Sequence, residues 1–473
     1  MTDKISKPES GDADPREIKY INLYESDKKI YTRKITGFYQ RLRSYTGVPL
    51  ILGYILMPWL IIDARPAMLF DLPERQFHIL WMTFWPQDGQ LLAFLLMIAA
   101  FALFTVTVLV GRVWCGFTCP QTVWTQIFIS VEHLCQGDRN KRIKLDEQPL
   151  NLEKFLRKSV THILWLFIAL ITALTFVGYF TPIRSLLLDL TRFEASYVSL
   201  FWVGLFTFGT YLNAGWMREQ VCKYMCPYAR FQSVMYDKDT LSVTYDHARG
   251  ETRGPRKMNE DYKSQGKGDC IDCSWCVQVC PVDIDIRDGA QYECIDCGLC
   301  VDACNAVMDK VHYPRGLISF TSEDALKTGK LNVWRPRLLG YFVALAIMIA
   351  YFGYTIGARI PVDVDVVRDR GARLYRIKGD RVQNVYTIKI NNMDRRAHVY
   401  DVTLKGELNF QLKGYRALGI EEGEVFTIPV RVSVLHSELT QVKTPIEIIV
   451  TARDDAAVSA RHSSVFIGPK SKK

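Results

Sequence analysis

Five long apolar stretches without charged residues alternate with polar segments along the first three quarters of the chain. Each is about 20 residues long, which is the length of an α-helix that crosses a lipid bilayer. The stretches are residues 44–62, 89–111, 159–183, 195–217 and 338–358. The sequence therefore predicts an α-helical polytopic membrane protein with five spans.

After the last apolar stretch the pattern changes to an alternation of apolar and polar residues. Runs of this kind begin at Val385, His398, Thr427 and Pro445, and turn residues separate them. A period of two predicts strands with one buried face. A tail of about 110 residues with several such strands is typical of an immunoglobulin-like β-sandwich. With no cysteine and no catalytic pair, the tail is interpreted as a docking or structural module.

The distribution of basic residues predicts the orientation of the spans. Lys and Arg number ten up to residue 46, eight in 112–158 and seventeen in 218–337, but two each in 63–88 and 184–194. Because basic loops stay in the cytoplasm, the N-terminus is predicted inside and the tail outside. This asymmetry accounts for the formal net charge of +9, so a nucleic-acid partner is not expected.

These patterns divide the chain into five parts. They are a cytoplasmic arm (1–43), a membrane domain with the first four spans (44–217), a cytoplasmic cysteine-rich domain (218–337), the fifth span (338–358) and a periplasmic β-sandwich (359–473). The uncharged segment 113–131 would reverse this charge balance if it crossed the membrane. It is predicted instead to be a helix lying along or just inside the inner membrane surface. The polar first 43 residues do not resemble a cleavable signal peptide, so the first span is interpreted as an uncleaved anchor.

Eight of the thirteen cysteines form two copies of the pattern C-x2-C-x2-C-x3-C, which begin at Cys270 and Cys294. This is the ligand spacing of bacterial ferredoxins with two [4Fe-4S] clusters, in which the fourth cysteine of each copy binds the other cluster. The predicted first centre contains Cys270, Cys273, Cys276 and Cys304. The predicted second centre contains Cys280, Cys294, Cys297 and Cys300.

Two structural zinc sites are the alternative interpretation of these cysteines, because C-x2-C pairs also bind zinc. Zinc sites use two pairs of ligands, whereas each copy here has three evenly spaced cysteines and a fourth at a fixed distance. The spacing therefore favours clusters. One position departs from the ferredoxin pattern, since Pro281 follows the last cysteine of the first copy but Asn305 follows that of the second.

A second cysteine system lies beside the predicted spans. The pattern C-x3-C-P occurs after the second span and again after the fourth, and Arg112 and Arg218 precede the two copies. A separation of four residues predicts two sulfurs on one face of a helix, which proline then interrupts. The cysteines concerned are Cys115, Cys119, Cys222 and Cys226.

The four membrane cysteines are predicted to bind metal or to carry redox chemistry. Thiolates are soft ligands that favour copper(I), zinc or iron–sulfur clusters, and the repeated spacing, proline and position point to a function. The alternative is four small buried side chains that pack helices. Cys135 has no partner at a motif spacing and is interpreted as structural.

The sequence lacks the motifs that are typical of several other classes of function. The sequence contains no phosphate-binding P-loop, dinucleotide fingerprint or serine nucleophile elbow. His162 is the single histidine within a predicted span, so a haem held in the bilayer by two histidines is not expected.

The ordered combination of spans, C-x3-C-P turns, dicluster ferredoxin run, last span and β-module resembles the FixG/CcoG/RdxA family of cytochrome c oxidase accessory proteins. The resemblance covers nearly the whole chain. It implies a protein of the bacterial inner membrane with two [4Fe-4S] clusters on the eight ferredoxin cysteines. It also implies that copper(II) is reduced to copper(I) during assembly of cbb-type oxidase, with Cys115, Cys119, Cys222 and Cys226 as the copper site.

The expected partners are membrane lipid, subunits of the cbb-type oxidase or copper chaperones, and an electron donor that the sequence does not identify. The oligomeric state stays open, a homodimer included. Two competing functions remain. One is a quinol-linked electron-transfer subunit of a respiratory reductase, against which the outer β-module weighs. The other is a non-enzymatic scaffold for oxidase assembly.

Overall fold

The structure is a computed structural model that describes residues 29–62, 65–256, 261–358, 361–369, 374–394, 396–417 and 419–469. The first 28 residues of the predicted arm lie outside the described residues. The chain forms a helical part, a cysteine-rich part and a β-rich part in the predicted order.

The helical part occupies residues 38–233, with short strands in the loop after its first helix. It begins with α1 (Phe38–Leu56), β1 (Ile61–Ile62), β2 (Arg65–Pro66), β3 (Met68–Asp71), β4 (Gln76–Ile79), β5 (Met82–Phe84), α2 (Gly89–Val110), α3 (Val113–Phe117), α4 (Pro120–Gln136) and α5 (Arg139–Glu147). It continues with α6 (Leu152–Val177), α7 (Ile183–Thr191), α8 (Tyr197–Thr210), two π-helical segments at Tyr211–Met217 and Val221–Met225, and α9 (Pro227–Ser233).

Three helices among the described residues are long and apolar enough to cross a membrane. They are α2, α6 and α14 (Pro336–Gly357), and each coincides with a predicted span. The predicted spans 44–62 and 195–217 overlap α1 and α8 but do not meet the same criteria. The first turns of α1 contain arginine, and α8 ends after 14 residues where the π-helical segment begins.

Helix α4, which contains most of segment 113–131, packs antiparallel to α6. Near its start, Trp124 Nε1 donates to Thr172 Oγ1 at 2.9 Å, and at its end Gln136 Nε2 donates to Thr161 Oγ1 at 2.9 Å. The charge pattern indicates on which side the two ends of a segment lie. It does not indicate that an apolar helix face, with Phe128 fully buried, packs against a neighbouring span.

A buried ion triad joins α4, α5 and the start of the second C-x3-C-P segment. Glu132 accepts from Arg142 at 2.5 Å and from Arg218 at 2.7 Å, and the side chain of Glu132 is 3% exposed. A carboxylate between two arginines in this position neutralises charge that water cannot reach. The triad therefore fixes Arg218, and with it the beginning of the second motif, against α4.

The cysteine-rich part consists of short elements around long loops. They are β6 (Ser242–Tyr245), α10 (His247–Gly250), α11 (Trp275–Gln278), α12 (Leu299–Lys310), β7 (Ile318–Thr321) and α13 (Glu323–Thr328). Strands β6 and β7 pair antiparallel, and α11 packs against α12. So little regular structure is expected where cysteines rather than a large apolar core organise the chain.

The extended segment before α1 joins the cysteine-rich part to the helical part. Arg33 N donates to Gln278 O at 2.8 Å, and Lys34 N donates to Asp138 Oδ1 at 2.9 Å. At the start of α1, two backbone N–H groups bind the carboxylate of Asp302. The segment thus contacts the loop before α5 and the cysteine-rich part at once.

The C-terminal part is a pair of antiparallel sheets. Its strands are β8 (Val362–Arg368), β9 (Arg376–Lys378), β10 (Arg381–Asn392), β11 (His398–Gly406), β12 (Gln411–Lys413), β13 (Gly419–Ile420), β14 (Val425–Leu435), β15 (Lys443–Ala452) and β16 (Ser459–Ile467). One sheet has the order β12-β14-β10-β8 with β9 beside β10, and the other has the order β13-β11-β15-β16. Alternate residues of β10 and β15 are buried between them, as the period of two predicts.

The loop between α1 and α2 touches this β-rich part. Arg65 Nη1 lies 3.4 Å from Glu422 Oε1, and a Cβ on Gly423 would lie 3.3 Å from the ring of Trp85. The two segments therefore lie on the same side of the helical part.

We expect Glu132→Gln to lower the free energy of unfolding by about 3–5 kcal/mol, because it leaves two buried arginines without their carboxylate. Thermal unfolding of the detergent-solubilised protein measures this as a lower midpoint temperature.

The matched control is Glu153→Gln, because Glu153 pairs with Arg157 on the exposed start of α6. An exposed pair of this type contributes about 0.3–0.5 kcal/mol. Equal loss of stability in the two variants would contradict a special role for the buried triad.

Candidate metal centres

Four of the predicted ligands surround a cavity in the cysteine-rich part. Cys270, Cys273, Cys276 and Cys304 line it together with apolar residues. The first three come from the loop before α11 and from α11 itself, whereas Cys304 comes from α12, 28 positions after Cys276. The fold thus brings together the set predicted for the first centre.

The other four line a second cavity. Cys280, Cys294, Cys297 and Cys300 surround it, and Cys276 of the first set also reaches its wall. The two cavities are therefore adjacent. Helix α12 carries Cys300 and Cys304 one turn apart, and each of them lines a different cavity.

The donor sets fit [4Fe-4S] clusters. Each cavity has four thiols, and otherwise mostly apolar residues line it, which is the all-cysteine ligation that such clusters use. Burial is the largest cause of the raised pKa of Cys280 and of Cys304, and each of these pKa values is about 12. Because ligands bind as thiolates, iron has to displace these protons. When bound, such clusters supply and accept single electrons.

Asn305 lies inside α12, and this explains why proline is absent after the last cysteine of the second copy. The helix continues to Lys310, and proline in its interior would remove a hydrogen bond. The side chain of Asn305 instead accepts from Gly316 N at 3.0 Å. Pro281, in contrast, lies beyond the end of α11, where no helix continues.

The C-x3-C-P motifs are breaks between two helices, so the prediction of two sulfurs on one helix face was wrong. Cys115 lies in α3, and Cys119 is the N-cap of α4 with proline in the first turn. Cys222 lies in a π-helical segment, and Cys226 is the N-cap of α9. The residue before a proline disfavours the helical conformation, whereas proline itself favours the first helical position. The proline therefore begins a new helix.

The two motifs lie close to each other. Cys115 Sγ donates to Gln232 Oε1 of α9 at 3.3 Å, which connects the first motif to the helix after the second. Burial first, and then the neighbouring thiols of Cys119, Cys222 and Cys226, raise the pKa of Cys115 to about 12. Within the described ranges, no three His, Cys, Asp or Glu side chains are grouped so as to hold a metal ion.

The first motif also lies against the residues around the second cysteine cavity. Cys115 packs against an apolar cluster that includes Ile295 and Cys297, and Cys280, Cys294 and Cys300 pack against the same cluster. At the next residue the backbones are in contact, since a Cβ on Gly116 would lie 2.7 Å from Ile295 O and 2.9 Å from Cys297 Cα. The first motif is thus beside the second centre rather than the first.

A buried carboxylate fixes this contact. Asp296 accepts from Arg112 N at 2.9 Å, from Tyr236 OH at 2.8 Å and from Val243 N at 3.0 Å. Gly111 has a φ of +54°, and a Cβ there would lie 2.7 Å from Asp296 Oδ2. The turn at the end of α2 therefore wraps around a side chain of the ferredoxin-type loop.

The sequence reasoning did not identify Arg43, Gly116 or Asp296. Arg43 is 5% exposed, and its Nε donates to Gly116 O at 3.0 Å. An arginine at the edge of a predicted span and a glycine between two motif residues were the available signals. Cys135 lines neither cysteine cavity, and its carbonyl accepts from Arg157.

We expect Gly116→Ala to disturb the second centre, because the added methyl group meets backbone atoms that cannot move aside as a side chain can. Overpacking of this kind costs about 1–3 kcal/mol. Anaerobic purification should give less iron per chain, with the loss in the EPR signal of one of two centres.

Gly53→Ala is the matched control, because a Cβ on Gly53 has nothing within 4 Å. Full iron content and two unaltered EPR signals in Gly116→Ala would contradict the close contact.

Three family models match separate parts of the chain. A 4Fe-4S dicluster domain matches residues 217–323, and a 4Fe-4S binding domain matches residues 92–141, which include Cys115 and Cys119. The Ig-like fold at the C-terminus of FixG, described there as a candidate oxidoreductase, matches residues 352–469.

The chain is also similar to curated proteins over most of its length. It is 37% identical to protein RdxB of Cereibacter sphaeroides, over 94% of this chain and 98% of the relative. It is 38% identical to the nitrogen fixation protein FixG of Rhizobium meliloti, over 81% of this chain and 80% of the relative. Protein RdxA of Cereibacter sphaeroides is 38% identical over 79% of this chain and 82% of the relative.

Proposed function

The chain belongs to the FixG/RdxA/RdxB family, whose 4Fe-4S dicluster domain and C-terminal Ig-like domain it contains, and from that premise we propose that this membrane iron–sulfur protein is a cupric reductase. It reduces copper(II) to copper(I) during assembly of cbb-type cytochrome c oxidase. The oxidase subunits or copper chaperones are its partners in this proposal.

The observation that carries the proposal is the contact between the first C-x3-C-P motif and the second cysteine cavity. Cys115 packs against the same apolar cluster as Cys280, Cys294 and Cys300, and Cys297 is a buried member of that cluster. The two cysteine cavities are adjacent because Cys276 reaches both. An electron that enters at the first centre therefore has a continuous short route to the membrane thiols.

In this proposal, Cys270, Cys273, Cys276 and Cys304 hold the first cluster. Cys280, Cys294, Cys297 and Cys300 hold the second. The mostly apolar walls of both cavities keep water from the ligands. This environment favours the transfer of single electrons and disfavours loss of the metal.

Cys115, Cys119, Cys222 and Cys226 form the copper site in this proposal. Copper(I) prefers soft sulfur ligands, so four neighbouring thiols favour the reduced ion over copper(II). Burial comes first among the causes that raise the pKa of Cys222 to about 12. Cys115 and Cys222 therefore keep their protons until copper displaces them, and the four thiols have to move together around the ion.

We propose five membrane crossings, with the N-terminus and ferredoxin-type domain in the cytoplasm and the Ig-like domain in the periplasm. Lys34 contacts Asp138, so an even number of crossings separates them, and α1 has to cross as α2 does. Arg65 contacts Glu422, so the number between them is also even. Helices α2, α6 and α14 supply three, and α8 with its π-helical extension supplies the fourth.

We expect the protein purified without oxygen to contain close to eight iron atoms per chain, as two [4Fe-4S] clusters require. Titration of the reduced protein with copper(II), followed by EPR, should remove the copper(II) signal in proportion to the electrons stored. Four iron atoms would mean that one centre is misassigned. A persistent copper(II) signal together with oxidation of added quinol would favour the quinol-linked alternative.

Two sets of variants separate reduction from assembly. Cys276→Ser should reduce iron content and copper reduction together. Cys222→Ser should keep iron content and lower the affinity for copper(I), and Cys135→Ser is the matched control with neither effect. Normal oxidase assembly with an accumulated but cluster-free protein would indicate a scaffold instead of a reductase.

We expect a membrane-impermeant maleimide to label Glu407→Cys, at an exposed position just after β11, but not Lys327→Cys, at an exposed position near the end of α13, in intact spheroplasts. The unaltered chain measures the background from its native thiols. Labelling of Lys327→Cys before lysis would overturn the cytoplasmic assignment of the ferredoxin-type domain.

A further inference from the structure

A large cavity lies between the segment before α1, helix α4, Cys222 and the loops of the second centre. Its volume is about 560 Å³, and we name it the inner vestibule. Polar side chains of α4, among them Gln121, Thr125 and Ser130, form one of its walls. Helix α4 therefore packs one side against α6 and presents another to this cavity.

The inner vestibule borders both parts of the proposed electron route. Val282, Ile295 and Leu299 line it and also line the second cysteine cavity, so one layer of side chains separates the two spaces. Cys222 of the second C-x3-C-P motif lines the vestibule as well. A molecule bound here lies next to the electron source and to a membrane thiol.

The charges around the inner vestibule are mainly positive. Arg33, Lys34, Arg43 and Arg218 line it, against Glu219 as the one carboxylate among its described lining residues. Arg218 is already paired with Glu132, whereas no carboxylate in the part of the chain that the structure describes forms an ion pair with Arg43.

Arg43 is the most informative of these cations because it is 5% exposed. A buried charge without a counter-ion is costly, so this position favours an anion. On the side of the second centre, Arg43 lies near Cys280 and Cys297. Lys34 is exposed at the opposite rim, so positive charge extends from the solvent to the second centre.

The size of the inner vestibule indicates a ligand larger than one ion. Cavities of about 300–1,000 Å³ are typical of sites for small organic molecules. We propose that the inner vestibule admits copper(II) as an anionic chelate, in which a small molecule with carboxylate groups binds the ion. This inference rests on the function proposed above. Lys34 and Arg43 attract the carboxylates of the chelate, and the polar face of α4 hydrogen-bonds its body.

The chemistry of transfer follows from ligand preference. Copper(II) would take one electron from a reduced cluster held by Cys280, Cys294, Cys297 and Cys300 and become copper(I), and the cluster would be oxidised by one electron. A bond forms between Cys222 Sγ and copper, the thiol proton passes to water, and the copper–carboxylate bonds break. The chelator leaves with its negative charge because copper(I) prefers sulfur to carboxylate oxygen.

Equilibrium dialysis of the oxidised full chain tests this inference without any turnover. Cys115, Cys119, Cys222 and Cys226 are replaced by serine, so that thiols cannot capture the metal. The probes are copper(II) nitrilotriacetate, which is anionic, copper(II) bis-histidine, which is neutral, and copper(II) bis-ethylenediamine, which is cationic. We expect the anionic complex to bind at least about tenfold more tightly than the other two.

Lys34→Gln should weaken binding of the anionic complex by about three- to fivefold, the range for one partly exposed charge. The matched control is Arg41→Gln, which removes an equal charge from an exposed position on α1 outside the vestibule lining, and binding should not change. Equal affinity for the three complexes, or equal loss in both variants, would overturn the inference.

Nitrilotriacetate without copper is the last probe. If it binds as tightly as its copper complex, the vestibule takes any carboxylate, and the assignment to copper fails. If the unaltered protein reduces all three copper complexes equally well, whatever their charge, this inference is wrong but the proposed reductase function is not affected. If the protein reduces none of the complexes, the proposed function itself is wrong.

Discussion

The close approach of two backbones at Gly116 and Cys297 is the constraint on which the rest of the structure depends. It brings the turn after α2 against the loop of the second centre, with no side chain between them. Asp296 strengthens the contact because it accepts hydrogen bonds from the N–H of Arg112 and from two groups of the ferredoxin-type part. A soluble ferredoxin-type unit thereby becomes a fixed part of a membrane protein.

The helical part supports this contact from the other side. The triad of Glu132, Arg142 and Arg218 fixes the start of the second motif against α4. The segment before α1 closes the arrangement, because Arg33 N donates to Gln278 O at the end of α11. Together these contacts fix the first motif beside the second centre and the second motif against α4.

Local patterns predicted much of this molecule. Cysteine spacing predicted which four residues share each cavity, and the period of two predicted the strands of the tail, because ligand spacing and side-chain alternation are properties of a few consecutive residues. The position of α4 and the contacts of Arg43 and Asp296 were not predictable in this way. They depend on which helix supplies a partner for a buried face or charge, and that choice involves residues from 25 to 184 positions apart. The C-x3-C-P breaks were misread because proline can end one helix or begin the next.

Helix α12 connects the fates of the two centres. Cys300 and Cys304 are one turn apart and line different cavities, so a displacement of α12 at one cavity also moves a cysteine of the other. Each cavity nevertheless keeps three cysteines that this helix does not carry. A change that shifts α12 as a whole should therefore be felt at both centres, whereas a change in one loop should be felt at one.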